Sequence, residues 1–286
     1  EATQDVFFQD NLLEQTGHEA EAVFHYHPTD HATYSLGAGY YEYEFARTPL
    51  IPGFFNRPSA SQYAFTSIFG QADMDLPWNF HLLASARHDE HNSFESKATY
   101  SVALSHEIEA TGTTLFGKVA TGYKAPSGQD FVFLAPTVDP FSIQPEESES
   151  WEVGVRQDLP NDLGSIAVTY FQADIENLVD VDPFFFAFAT QVDTATQGYE
   201  VELRLQPCDF LDIYGTYTYL DATITDGQYL AGFGGNPGDR LPRRPEHMAT
   251  AGATFHGDHW TFGAEIQGAY SRFDGPGVFL DDYTLA

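Results

Sequence analysis

The sequence predicts an all-β fold, an antiparallel up-and-down transmembrane β-barrel of about fourteen strands. Three observations carry that expectation. Apolar residues recur at every second position over many segments, which is the period of a strand and not of a helix. No apolar stretch reaches the roughly 18 residues that a membrane helix requires. Short turns alternate with long polar connections, the loop asymmetry of outer-membrane barrels. The 286 residues are 15% aromatic and contain 24 Gly, at a mean hydropathy of −0.30, a mixture that suits strands with one face in lipid and the other in water.

The alternation is clearest in a few segments. From Glu19 to His27, Ala20, Ala22, Phe24 and Tyr26 share one face while Glu19, Glu21, Val23, His25 and His27 share the other. Trp151, Val153 and Val155 alternate with Glu152, Gly154 and Arg156, and Val201, Leu203 and Leu205 alternate with Glu200, Glu202 and Arg204. Short turns are expected at His27 to Asp30, Leu76 to Asn79, Leu159 to Gly164, Pro207 to Asp209 and His256 to Asp258. Longer connections are expected near Arg47 to Ser61, His88 to Ser96, Pro126 to Glu149, Asp180 to Thr196 and Asp226 to Glu246. Gly154, among inward residues, marks a place where backbone or a plug approaches closely.

Composition excludes some functions. With 42 acidic and 12 basic residues the net charge is −30, a field that repels phosphate backbones, so no nucleic-acid partner is expected. Cys208 is the one cysteine, which leaves neither a disulfide framework nor a thiolate metal site. The chain opens on the acidic, polar segment after Glu1, without the basic region and apolar core of a signal peptide.

A series of landmarks then appears in order. Strands through Phe65 to Ala72 and Leu82 to Arg87 precede an acidic loop, Arg87-His88-Asp89-Glu90-His91-Asn92-Ser93-Phe94. Gly122-Tyr123-Lys124-Ala125-Pro126-Ser127 closes a later strand, and Gln144-Pro145-Glu146-Glu147-Ser148 leads into Trp151-Glu152-Val153-Gly154. Asn177-Leu178-Val179, Gly198-Tyr199-Glu200, Tyr217 to Ala222 and Leu241 to His247 follow. In this order the segments resemble the TonB-dependent outer-membrane receptor family, of the siderophore or cobalamin receptor type. The resemblance implies a barrel of about 22 strands filled by an N-terminal plug. Residues 1–286 then read as a single, partial barrel domain, with plug and C-terminal strands outside it.

What the resemblance implies about function is a non-enzymatic transport receptor in the outer membrane of a Gram-negative bacterium. It implies binding of an iron chelate or cobalamin-like ligand, import with TonB-derived energy, and contact with outer-membrane lipid; no cofactor is expected. A passive outer-membrane channel and a soluble β-rich binding protein are the competing readings. Candidate ligand contacts in the connections are Phe184 and Phe186, in the apolar run from Phe184 to Phe188, and Arg243 and Arg244. Candidate metal ligands are His88, Asp89, Glu90 and His91, placed in an outer loop, with His25, His27 and His31 a second histidine group. Gly112 to Lys118 has most of a phosphate-loop pattern, but Val119 stands where Ser or Thr is required and the surroundings read as a strand. Gly37-Ala38-Gly39 and the glycines from Gly232 to Gly238 read as strand and loop glycine.

Overall fold

The computed structural model describes residues 2–6, 9–49, 59–92, 95–125, 144–181, 189–227, 235–275 and 278–285. Its strands run, in chain order, β1 Ala2–Val6, β2 Gln9–Thr29, β3 Ala32–Pro49, β4 Ser59–Leu76, β5 Phe80–His91, β6 Lys97–Ile108, β7 Thr113–Lys124 and β8 Glu146–Leu159. They continue as β9 Gly164–Val181, β10 Ala189–Cys208, β11 Leu211–Asp226, β12 His247–His256, β13 Thr261–Tyr270, β14 Arg272–Gly275, β15 Val278–Leu280 and β16 Tyr283–Leu285. Each strand from β1 to β12 pairs antiparallel with the next, and β16 joins β13, so fourteen strands form one sheet in chain order. β14 and β15 form a separate two-stranded ribbon. Among the described residues no ladder returns from β16 to β1.

Six tight connections lie at one end of the sheet. They join β2 to β3, β4 to β5, β6 to β7, β8 to β9, β10 to β11 and β12 to β13. The turns at Trp78-Asn79 and Asn161-Asp162 place both residues at positive φ, near 60°, the conformation of a hairpin turn whose twist matches its strands. The segment with phosphate-loop likeness is a turn and a strand: Gly112 closes the β6–β7 turn at φ 64° and Thr113 opens β7. Pro207 and Cys208 end β10, and Asp209-Phe210 make the turn.

At the other end the strands extend further than the sequence pattern shows. β5 continues to His91, with Phe65 opposite His91 and Ser67 opposite Asp89, so the expected loop from His88 is strand for its first four residues. Past the lipid both faces of a strand meet water, and the alternation that reveals strands fades there. β3 likewise reaches Pro49, β8 starts at Glu146, and β9 and β10 extend to Val181 and from Ala189.

A sheet of this kind has little core. Buried apolar side chains such as Val192, Ile224, Leu241 and Phe273, 1%, 1%, 4% and 8% exposed, lie at the long-loop end. There Asp239 to Leu241 runs back along β11, with Ile224 N donating to Asp239 O at 2.9 Å and Leu241 N to Ala222 O at 2.8 Å. Arg243 N donates to Phe273 O at 2.7 Å. The segment from Asp239 to Arg243 thus bonds to both β11 and β14.

Candidate functional site

The register sorts side chains onto two faces with opposite chemistry. Val153, Tyr170, Tyr199, Tyr219, His247 and Tyr270 follow one another across β8 to β13 on the outward face. Tyr170 lies 5.0 Å from Tyr199 and 5.3 Å from Trp151, centroid to centroid. Nearer the tight turns a second ring forms from Phe210, Phe255, Trp260 and Phe262, with Phe255 5.0 Å from Phe210 and 5.5 Å from Trp260. Along β13 the rings are separated by the residues from Phe262 to Tyr270, roughly 27 Å at about 3.4 Å per residue. At a tilt of about 40° that covers roughly 21 Å, close to the roughly 25 Å apolar band of an outer-membrane barrel.

From Tyr100 on β6 to Tyr270 on β13, no described outward position between the rings is Asp, Glu, Lys or Arg. Phe24, Leu36 and Ile68 extend the apolar band over β2 to β4, exposed at 67%, 66% and 62%. A soluble protein would not leave such a band bare, and lipid covers it.

The inward face carries the charge. Lys118 stands opposite Glu152, and Glu200, Glu202 and Arg204 face inward along β10. Rings fill the spaces beside inward glycines. A side chain at Gly154 would meet Phe116 Cζ at 2.3 Å, and one at Gly37 would meet Phe69 Cζ at 2.2 Å. The close approach expected at Gly154 is therefore made by the cross-strand ring of Phe116.

The densest inward cluster lies on β2 to β5 and β7, just past the long-loop ring. Arg87 Nε donates to both oxygens of Asp89 at 2.9 Å. Tyr123 donates to Asp89 Oδ2 at 2.8 Å and its hydroxyl lies 2.8 Å from His91 Nε2. Asp89 is 2% exposed, so its charge is tolerated because these partners surround it. Tyr41 and Tyr43 donate to Glu21 and Glu19 at 2.5 Å. The bond to Glu19 pushes the Tyr43 hydroxyl up to about 12. Burial, and then the carboxylate of Asp89, pushes Tyr123 up, while burial pulls His91 below its ordinary 6.5.

Of the expected metal ligands, period-two geometry sends Asp89 and His91 inward and His88 and Glu90 outward. Among the described residues no three His, Cys, Asp or Glu side chains are grouped so as to hold a metal ion. His25 and His27 do share the inward face, but their Nδ1 atoms lie against Ser35 Oγ at 2.8 Å and Thr33 Oγ1 at 2.9 Å. His31 lies 3.7 Å from Asp75. Arg243 Nε donates to Asp274 at 2.8 Å, and Arg244 is exposed, with Nη1 donating to Arg243 O at 3.3 Å. Phe184 and Phe186 lie outside the described residues. The network around Asp89 was not visible in the sequence; its signal, alternating Tyr and Glu from Tyr41 to Glu44, gains meaning only once the register is known.

Residues 2–286 match the family model described as TonB dependent receptor-like, beta-barrel. The metal-pseudopaline receptor CntO of Pseudomonas aeruginosa is 25% identical over 157 residues, 54% of this chain and 20% of that protein. The vitamin B12 transporter BtuB of Vibrio vulnificus is 26% identical over 210 residues, 71% of this chain and 31% of that protein. Among solved structures, the copper transporter OprC superposes with a TM-score of 0.74 at 13% identity, over 96% of this chain and 48% of that one. The ferric-catecholate import receptor Fiu of E. coli K12 superposes at 0.68 and 15% identity, with the same coverage of 96% and 48%. The chain thus spans about half the length of these solved structures and between 20% and 31% of the two curated relatives. With its bare apolar band outside, its charged wall inside and a family match along its length, the chain belongs to the TonB-dependent receptor β-barrel family of the Gram-negative outer membrane.

Proposed function

We propose that this chain is barrel wall in an active import receptor, which binds a scarce ligand such as an iron chelate or a cobalamin-like molecule and admits it through the lumen. Energy arrives from TonB through a plug seated inside, and the wall performs no covalent chemistry. The observation that carries this reading is the partition of charge, absent from the outward band and concentrated on the inward face, which suits a barrel built around a polar occupant. The ligand classes named for the relatives support the same reading. Unpaired strand edges cost several kcal/mol per unsatisfied group in hydrocarbon, so on this reading further strands complete the barrel beyond β1 and β16.

The test is uptake of labelled ferric chelates and of cobalamin by cells carrying the full-length receptor, with and without TonB. Accumulation of one ligand that disappears without TonB is the expected result. Equal uptake in both strains, accompanied by stable open pores in planar bilayers, would establish a passive channel instead.

A further inference from the structure

The inward wall just past the long-loop ring carries a ladder of rings that nothing in the fold requires. Tyr43 lies 5.2 Å from Tyr63, Tyr41 stacks on Phe65 at 4.6 Å, Phe65 lies 4.7 Å from His91, and His91 meets Tyr123 edge-on at 5.7 Å. The ladder crosses β3, β4, β5 and β7 without joining the packed unit near Ile224. Glu19 and Glu21 flank it from β2, exposed to the lumen, and Tyr43 and Tyr41 hold their carboxylates in place. A neutral phenol fixes a carboxylate without cancelling its charge.

The cations of this patch have their charge answered internally, and Lys97, opposite Asp89, pairs with Glu147. Arg87 packs over the rings of Tyr41 and Phe69, at 5.7 Å and 5.5 Å, and closes a two-point bond on Asp89. One further observation is independent of the acids and the rings. Ser67, on the same inward face between Gly39 and Asp89, is 2% exposed, and its hydroxyl has no hydrogen-bond partner among the described residues. The wall therefore offers ring faces, which carry negative charge, and two oriented carboxylates, with one unpartnered hydroxyl buried in the same face.

We propose that this ladder is a ligand subsite for a flat, positively charged group, either an aromatic cation or a chelate of net positive charge. The proposal rests on the import reading for its biological meaning, since it names the class of ligand that this wall admits. An anionic ligand meets Glu19 and Glu21 here with the Arg87 charge already matched by Asp89, and like charges at such a distance disfavour it. A cation gains from both the carboxylates and the ring faces.

The experiment uses the full-length receptor in detergent and equilibrium dialysis at about 0.15 M salt, where exposed charges beyond about 8 Å are screened. The probe is the 1-methylquinolinium cation, with the similarly sized 1-naphthalenesulfonate anion as its counterpart. We expect saturable binding of the cation at one site and none of the anion. Glu19→Gln with Glu21→Gln should weaken the cation by about tenfold or more, and Phe65→Leu by about threefold. Glu152→Gln with Glu200→Gln, elsewhere on the acidic wall, should leave it unchanged. Folding of each variant is checked by its strand circular dichroism. Equal binding of the two probes would overturn the proposal, as would undiminished affinity in the Glu19/Glu21 variant or equal loss in the Glu152/Glu200 control. Cation binding without TonB-dependent uptake would leave the subsite standing and remove the import reading, and the converse result would do the reverse.

Discussion

At the residue scale, Asp89 shows how an ionised group is kept out of water on a barrel wall. Arg87 and Tyr123 both donate to it, so Asp89→Asn keeps one acceptor oxygen, turns the other into a donor and removes the charge that Arg87 faces. We expect a loss of about 1–3 kcal/mol, read as a lower urea midpoint, with Asp89→Glu recovering part of it; an unchanged midpoint would mean the network is decorative. His91 gives a pH dependence. Burial lowers its folded pKa from 6.5, so the stability gained by keeping it neutral is fully present above about pH 6.5. That stability drains away as pH falls through the folded value. His91→Gln should therefore lose less stability on acidification than the parent protein, measured by unfolding at a series of pH values. None of this was legible in the sequence, where Arg87 to His91 is polar at every position and reads as a loop. The assignment to strand comes from pairing with β4, a contact between residues far apart in the chain.

The strands themselves were legible wherever one face meets lipid. Phe24 and Tyr26, Trp151 to Val155 and Val201 to Leu205 alternate because their two sides face different solvents, and the register confirms their common outward face. Two features escaped for physical reasons. The β6–β7 turn was hidden within a segment whose glycines resemble a phosphate loop, and the cluster of Leu178, Ala222, Ile224 and Leu241 brings together β9, β11 and the connection after β11. The two faces predict opposite responses to charge. Val168→Arg, in the outward band, should cost roughly 2–4 kcal/mol, whereas Thr169→Arg on the inward face should fold almost unchanged. Comparable losses in urea unfolding within lipid would refute the assignment of faces. Glycines differ too. A side chain at Gly198 would stand 2.1 Å from the Tyr219 carbonyl oxygen, while one at Gly37 meets the movable ring of Phe69. Gly198→Ala should accordingly lower barrel yield and heat resistance more than Gly37→Ala, as judged by gel mobility without boiling.

Across the whole molecule the net charge of −30 falls on the inward wall, the turns, the loops and the strand ends past the lipid, because the outward band excludes it. Crowded carboxylates repel one another, so raising salt from about 0.1 M to about 1 M, which shortens the screening length from about 10 Å to about 3 Å, should raise the unfolding temperature. A fall, followed by circular dichroism, would show that ion pairs dominate instead. The order of the sheet has another consequence. Every strand from β2 to β12 pairs in the sheet only with its neighbours in sequence, and each tight turn makes a hairpin complete in itself. Such a wall can grow by successive hairpins, the last strand laid down serving as the template for the next, as in a linear array of repeats. Hairpins can then be gained, lost or exchanged over evolutionary time without rethreading the rest, which leaves the long loops at the other end free to diverge.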